Sequence, residues 1–308
     1  MKPVVVVVLS MIAVCTAVGR SISAGSTLSV VLAPYTFRHV ELSQHGLDLS
    51  LRGTINGRPA TLILSTGAPI SVLDRNSLAK FGIGERKTAI SLSSPFGKTS
   101  DYVGMGKVSS FEFANIVLAD FEAGTIDENV LNRSTPPHST HIDGVFGYSQ
   151  MRKLGAVIDC SRRDLYANPW GPRADASGQL AKVLLSHGYI RVPMRLNRRG
   201  HPEVDCQING RAAIITVETA AFSTIVDKKF ATNVGVVLVD AVVSGEGVGH
   251  RQGPLESGVV RQFSIGPFQS NKGKIRVGEV TFNVLGIDFL SSNHAIIDTG
   301  GMNLFLYE

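Results

Sequence analysis

Cysteine, tryptophan and charge are scarce in this 308-residue chain, which holds three cysteines, one tryptophan and only 18% charged residues. Cys15 falls in the N-terminal apolar run, and Cys160 and Cys206 alone are too few for a disulfide framework. Free, partly buried thiols are the first expectation and one long-range bridge is the alternative. No Cys/His cluster has zinc-ligand spacing and no His pair stands at i, i+4 beside a glutamate, so neither a metal nor a cofactor is expected. The basic residues form no stripe and no aromatic-interleaved arginine cluster, so nucleic acid is not an implied partner. Low charge beside 44% apolar residues excludes a disordered chain. Neither a glycine triplet repeat nor a sustained heptad occurs, which removes collagen and coiled coil.

Long apolar runs are missing too. The longest, Val4–Val18, is about 15 residues against the roughly 20 of a membrane helix. Lys2 before it and Gly19, Ser21, Ser23 and Ala24 after it give the layout of a secretory leader over 1–24, with an uncleaved anchor as the alternative. Cleavage removes Lys2 and Arg20 and takes the net charge from +5 to +3. The expected product is secreted or periplasmic, with no stable membrane insertion.

The chain is rich instead in glycine, with 32 residues, and it contains an internal repeat. Asn56-Gly57-Arg58 through Leu64-Ser65-Thr66-Gly67-Ala68 recurs as Asn209-Gly210-Arg211 through Val217-Glu218-Thr219-Ala220-Ala221. A second block, Val145-Phe146-Gly147 through Val157-Ile158-Asp159, recurs as Val284-Leu285-Gly286 through Ile296-Ile297-Asp298. Two copies are too few for a solenoid, and each is domain-sized; this is a duplicated domain. Each copy reads as an Asn-Gly hairpin, a β-rich run ending in a small-residue turn, a second strand, and a short helix capped by Asp74 or Asp227. The expected organisation is a leader 1–24, an N-terminal lobe 25–167, a linker 168–182 marked by Pro169, Gly171, Pro172 and Gly178, and a C-terminal lobe 183–308.

The order of these blocks, an apolar strand ending in x-Thr-Gly-Ala and then an apolar-apolar-Gly triplet, resembles the retropepsin-like and pepsin-like aspartic proteases, here with two lobes in one polypeptide. The resemblance covers nearly the whole chain after the leader. It implies an all-β fold with short helices, built as two homologous six-stranded-barrel-type lobes around a central cleft. It also implies one aspartate from each lobe, braced by the triplets Val145-Phe146-Gly147 and Val284-Leu285-Gly286. At the two dyad positions this sequence has Ser65 and Glu218. The reaction needs two carboxylates sharing a proton, one as base for water and one as acid. Ser65 supplies neither state, no histidine adjoins either turn to activate it, and Glu218 carries an extra methylene. Ala220 replaces a glycine and gives up free access to positive φ. Thr66, Gly67, Thr219 and Ala220, with Tyr102 as a flap aromatic, are the substrate-binding candidates that the resemblance implies.

Asp298-Thr299-Gly300 spells the family triplet, but the repeat places Asp298 opposite Asp159 in a closing strand, and only a few residues follow. Gly245-Glu246-Gly247-Val248-Gly249 reads as a hairpin tip, not a phosphate loop, for want of a βαβ pattern. Asn132-Arg133-Ser134 is a formal glycosylation sequon. The functional expectation is a catalytically impaired pseudoprotease, monomeric, with a peptide or protein ligand in the cleft. The alternative is an active endopeptidase using Glu218 with a second acid such as Asp101 or Asp143.

Overall fold

The computed structural model describes residues 24–45, 48–88, 93–98, 103–127, 141–247, 251–270 and 273–307. Residues 1–23 of the expected leader, Asp101, Tyr102, the Asn132-Arg133-Ser134 sequon and Val248-Gly249 lie outside them.

Both Asn-Gly pairs hold positive φ, at 49° and 74° for Asn56 and Gly57 and at 48° and 79° for Asn209 and Gly210. Such turns match the twist of the flanking strands and fix their register: Ile55 faces Arg58, and Ile208 faces Arg211. Each asparagine also tethers its hairpin. Asn56 Oδ1 accepts from the amides of Ser109 and Ser110, and Asn209 Oδ1 accepts from those of Arg261 and Gln262.

These tethers help close two barrels. In the first, strands Asp48–Ile55, Arg58–Leu64, Gly144–Phe146, Val72–Asp74, Ile116–Ile126 and Gly104–Phe113 pair in that order, and the last returns to the first through Thr54–Glu112 and Ile55–Phe111. That ring has six strands. The second barrel repeats the path through Pro202–Ile208, Arg211–Val217, Asn283–Leu285, Ile225–Asp227, Gly273–Gly278 and Arg251–Val260. There the returning strand is interrupted, and its continuation Phe263–Ile265 makes the closing pairs with Cys206, Gln207 and Ile208. Short helices follow the second strand of each copy, with Asp74 accepting from the amide of Asn76 and Asp227 from that of Phe230.

A third sheet is shared by the two copies, three strands from each, in the order Arg38–Glu41, Asp164–Ala167, Val157–Asp159, Ile296–Asp298, Asn303–Leu306, Ile190–Pro193. At its centre Val157, Ile158 and Asp159 pair with Asp298, Ile297 and Ile296. One continuous apolar core, including Phe111, Phe146, Ile158, Phe263, Leu285 and Ile297, runs through both barrels and this sheet.

The segment expected as a linker differs from its reading. It contains a 13-residue helix, Ala174–Ser186. Ala176, Leu180 and Leu184 fall at i, i+4 and i+8 and are buried, the two leucines against Leu28 and Leu32 of helix Ala24–Leu32 and against Tyr166 and Phe305 of the shared sheet. Gly178, taken as a break, sits exposed in that helix, where glycine costs only about 1 kcal/mol and the apolar face outweighs it. Cys160 and Cys206 are free and buried, and burial pushes both thiols up, Cys206 to about 12.

Candidate functional site

Strands Arg58–Leu64 and Arg211–Val217 run out of the two barrels and end in turns that meet, Ser65–Ala68 from one and Glu218–Ala221 from the other. Each turn is held from behind by its triplet: the Ser65 amide donates to the Phe146 carbonyl at 3.1 Å, and the Glu218 amide to the Leu285 carbonyl at 3.0 Å. The following residues lock the same way, Tyr148 N–H to the Ala68 carbonyl at 2.7 Å and Ile287 N–H to the Ala221 carbonyl at 2.8 Å. The repeat in sequence is thus a repeat of hydrogen bonds.

The threonines join the two turns reciprocally. Thr66 N–H donates to Thr219 Oγ1 and Thr219 N–H to Thr66 Oγ1, both at 3.1 Å. Each hydroxyl then donates onward across the junction, Thr66 to the Val217 carbonyl at 2.7 Å and Thr219 to the Leu64 carbonyl at 2.6 Å. Both residues are fully buried, so these four bonds satisfy groups that water cannot reach.

In front of that lock, Ser65 and Glu218 form one unit. Ser65 Oγ donates to the Glu218 carboxylate, 2.9 Å from Oε1 and 3.1 Å from Oε2, and accepts from the Ala68 amide at 3.0 Å. Glu218 Oε1 also accepts from the Ala220 amide at 2.8 Å. Burial raises the Glu218 pKa, and the donors from Ala220, Ser65 and Gly67 oppose that shift. The extra methylene carries the carboxylate over Gly67, where a Cβ would lie 1.8 Å from Oε2. Gly67 is required there by closeness. The expected backbone cost at Ala220 does not arise, because positive φ is found neither at Ala220 nor at Gly67.

A histidine missed in the sequence stands at the first turn. His201 Nδ1 donates to the Gly67 carbonyl at 2.7 Å, and its ring lies 5.9 Å from that of Phe282. Burial lowers its pKa, so the neutral ring with the proton on Nδ1 is favoured. It directly follows the turn Asn197–Gly200, and nothing in its spacing announced it.

Other candidates lie elsewhere. Asp143 is buried with the Ser77 hydroxyl at 3.0 Å, Lys80 Nζ at 2.8 Å and the Thr61 amide at 3.0 Å, so its carboxylate is committed to holding the first barrel. Asp298 is fully buried in the shared sheet opposite Val157, accepting from the Gly301 amide at 2.9 Å, while Thr299 donates to the Ala156 carbonyl. Gly245 lies in strand Val237–Gly247, which forms a hairpin with Arg251–Val260. Among the described residues, no group of three His, Cys, Asp or Glu is placed to hold a metal ion, and no helix is long and apolar enough to cross a membrane.

Residues 51–149, which carry the first barrel, its turn and its triplet, match the family model for aspartyl protease. No curated protein matches the sequence. Among solved structures, conglutin gamma from lupine seeds is similar at 9% identity, over 89% of this chain and 95% of that one, with a TM-score of 0.47. Basic 7S globulin from soybean is similar at 10% identity, over 88% and 94%, with a TM-score of 0.45. Residues 51–149 are thus similar to the aspartyl protease family, and the second barrel repeats the strand path of the first.

Proposed function

We propose that this is an exported, monomeric, aspartic-peptidase-like protein whose peptidase chemistry is impaired and whose interlobe cleft binds peptide or protein segments. The supporting observation is the Ser65–Glu218 pair: the dyad positions hold one alcohol and one carboxylate, joined by a hydrogen bond at 2.9 Å. A single carboxylate cannot serve at once as base for water and as acid for the leaving amine. The frame around it is retained, with both triplets and both threonines engaged. Export rests on the leader-like residues 1–24, and the covalent union of both lobes removes the need for a second copy to complete the cleft.

The second reading is an endopeptidase using Glu218, favoured by the raised pKa of its enclosed carboxylate, which suits a general acid. Peptide-cleavage assays of the chain lacking residues 1–24, from about pH 3 to about pH 8, separate the two. The expected result is no turnover by the parent and a gain on combining Ser65→Asp with Glu218→Asp. Pepstatin-sensitive turnover that disappears in Glu218→Ala would overturn the impaired reading.

A further inference from the structure

The short hairpin Ser93–Lys98 of the first lobe reaches across to the second. Its strands pair Ser93 with Lys98 and Ser94 with Gly97, leaving Pro95-Phe96 at the tip. The Pro95 carbonyl accepts from the Thr281 amide at 2.7 Å, and the Thr281 hydroxyl donates to the same carbonyl at 3.2 Å. Beside that main-chain bond the Phe96 ring enters a notch whose floor is a cross-strand glycine pair, Gly245 facing Gly253. A Cβ on Gly245 would stand 2.5 Å from the ring's Cζ, and one on Gly253 2.9 Å from its Cδ1. Neither glycine has positive φ, so the ring's close approach, not the backbone, accounts for the missing side chains.

A shared apolar cluster joins the notch to the second turn. Phe96 packs on the cluster of Ile225, Leu255, Val280 and Val284, which also takes in Ala221 of the second turn and Phe282. Phe282 is the ring next to His201, and His201 holds the Gly67 carbonyl of the first turn. An aromatic side chain in this notch therefore shares an apolar cluster with the second turn and is linked to the first through Phe282 and His201, with an amide donor ready for the carbonyl of the residue before it.

We propose that the Gly245–Gly253 notch, with the Thr281 amide, is a subsite for an aromatic residue of an extended peptide ligand, and that Phe96 is its resident occupant, which a ligand must displace. The inference rests on the cleft-binding reading and adds to it the ligand's chemistry and an internal competitor. The probe is the chain's own tip as a peptide, acetyl-Ser-Ser-Pro-(4-fluoro-Phe)-Gly-Lys-amide, followed by fluorine NMR at millimolar concentration. Phe96→Ala should bind it about tenfold or more tightly than the parent, the size expected for an apolar ring released from competition. Adding Gly253→Ala to Phe96→Ala should remove that gain. Equal binding by parent and Phe96→Ala, or undiminished binding after Gly253→Ala, would overturn the subsite.

Gly253→Ala alone, with Phe96 in place, gives a second measure. Expulsion of the ring should speed hydrogen exchange at the Thr281 amide, and unchanged exchange there would also overturn the proposal. Capture of the tip peptide by Phe96→Ala, together with failure of longer aromatic peptides to bind, would uphold the notch and remove the cleft-binding reading.

Discussion

Replacing an aspartate by glutamate at 218 moves a carboxylate by about one bond length, and the neighbouring residues fix where it goes. It turns over Gly67, takes the Ser65 hydroxyl and the Ala220 amide, and so makes with Ser65 a pair of one neutral donor and one carboxylate acceptor. Behind it, Thr66 and Thr219 make reciprocal bonds in which each hydroxyl accepts from and donates to the main chain of the opposite copy. Removing either hydroxyl leaves a buried amide and a buried carbonyl unpaired. Thr66→Val and Thr219→Val should each destabilise the chain by about 1–3 kcal/mol in urea unfolding. Because both hydroxyls belong to one bonded network across the same junction, the double variant should lose less than the sum of the singles, by about 0.5–3 kcal/mol. Strict additivity would show that the two turns are not coupled through these bonds.

The elements that position this site were legible where short-range chemistry dictates geometry. Asn-Gly at 56–57 and 209–210 demands a positive-φ turn, and the apolar runs after it alternate into barrel strands, so the duplicated hairpins could be read directly. The helix Ala174–Ser186 was not, because Pro169, Gly171 and Gly178 masked an apolar stripe whose partners are remote in sequence. His201 and Phe96 were hidden for the same reason: each acts on the opposite lobe, His201 through a contact 134 residues away and Phe96 through a glycine pair. The helix carries a prediction of its own. Leu180 is fully buried between helix Ala24–Leu32 and the shared sheet. Leu180→Ala should cost about 2–5 kcal/mol, as for other buried leucines, whereas a free linker would lose almost nothing. Chemical denaturation of the variant decides between them.

Two barrels need not mean two unfolding units. The shared sheet joins three strands of one copy to three of the other through the central pair Val157–Asp159 and Ile296–Asp298, and the core is continuous through it, so neither barrel can open without exposing part of the other. Calorimetry should therefore give one transition, with calorimetric and van't Hoff enthalpies in agreement. Two resolved transitions would mean that the seam contributes little.

The same seam sets the pH dependence of stability. Asp159 and Asp298 lie in the paired central strands and Glu218 at the junction of the turns, and burial raises the pKa of all three above ordinary values of 3.8 for aspartate and 4.5 for glutamate. A raised carboxyl pKa means that the folded chain holds protons the unfolded chain has released. The stabilisation is then complete below the unfolded pKa and is lost as pH rises through the folded one. Glu218→Gln removes one such titration while keeping an oxygen for the Ala220 amide. Its thermal midpoint relative to the parent should therefore increase steadily from about pH 4 towards neutrality. A constant offset across that window would mean that Glu218 does not titrate differently in the folded chain, and with it would fall the account of an enclosed carboxylate held by Ser65 and the two turn amides.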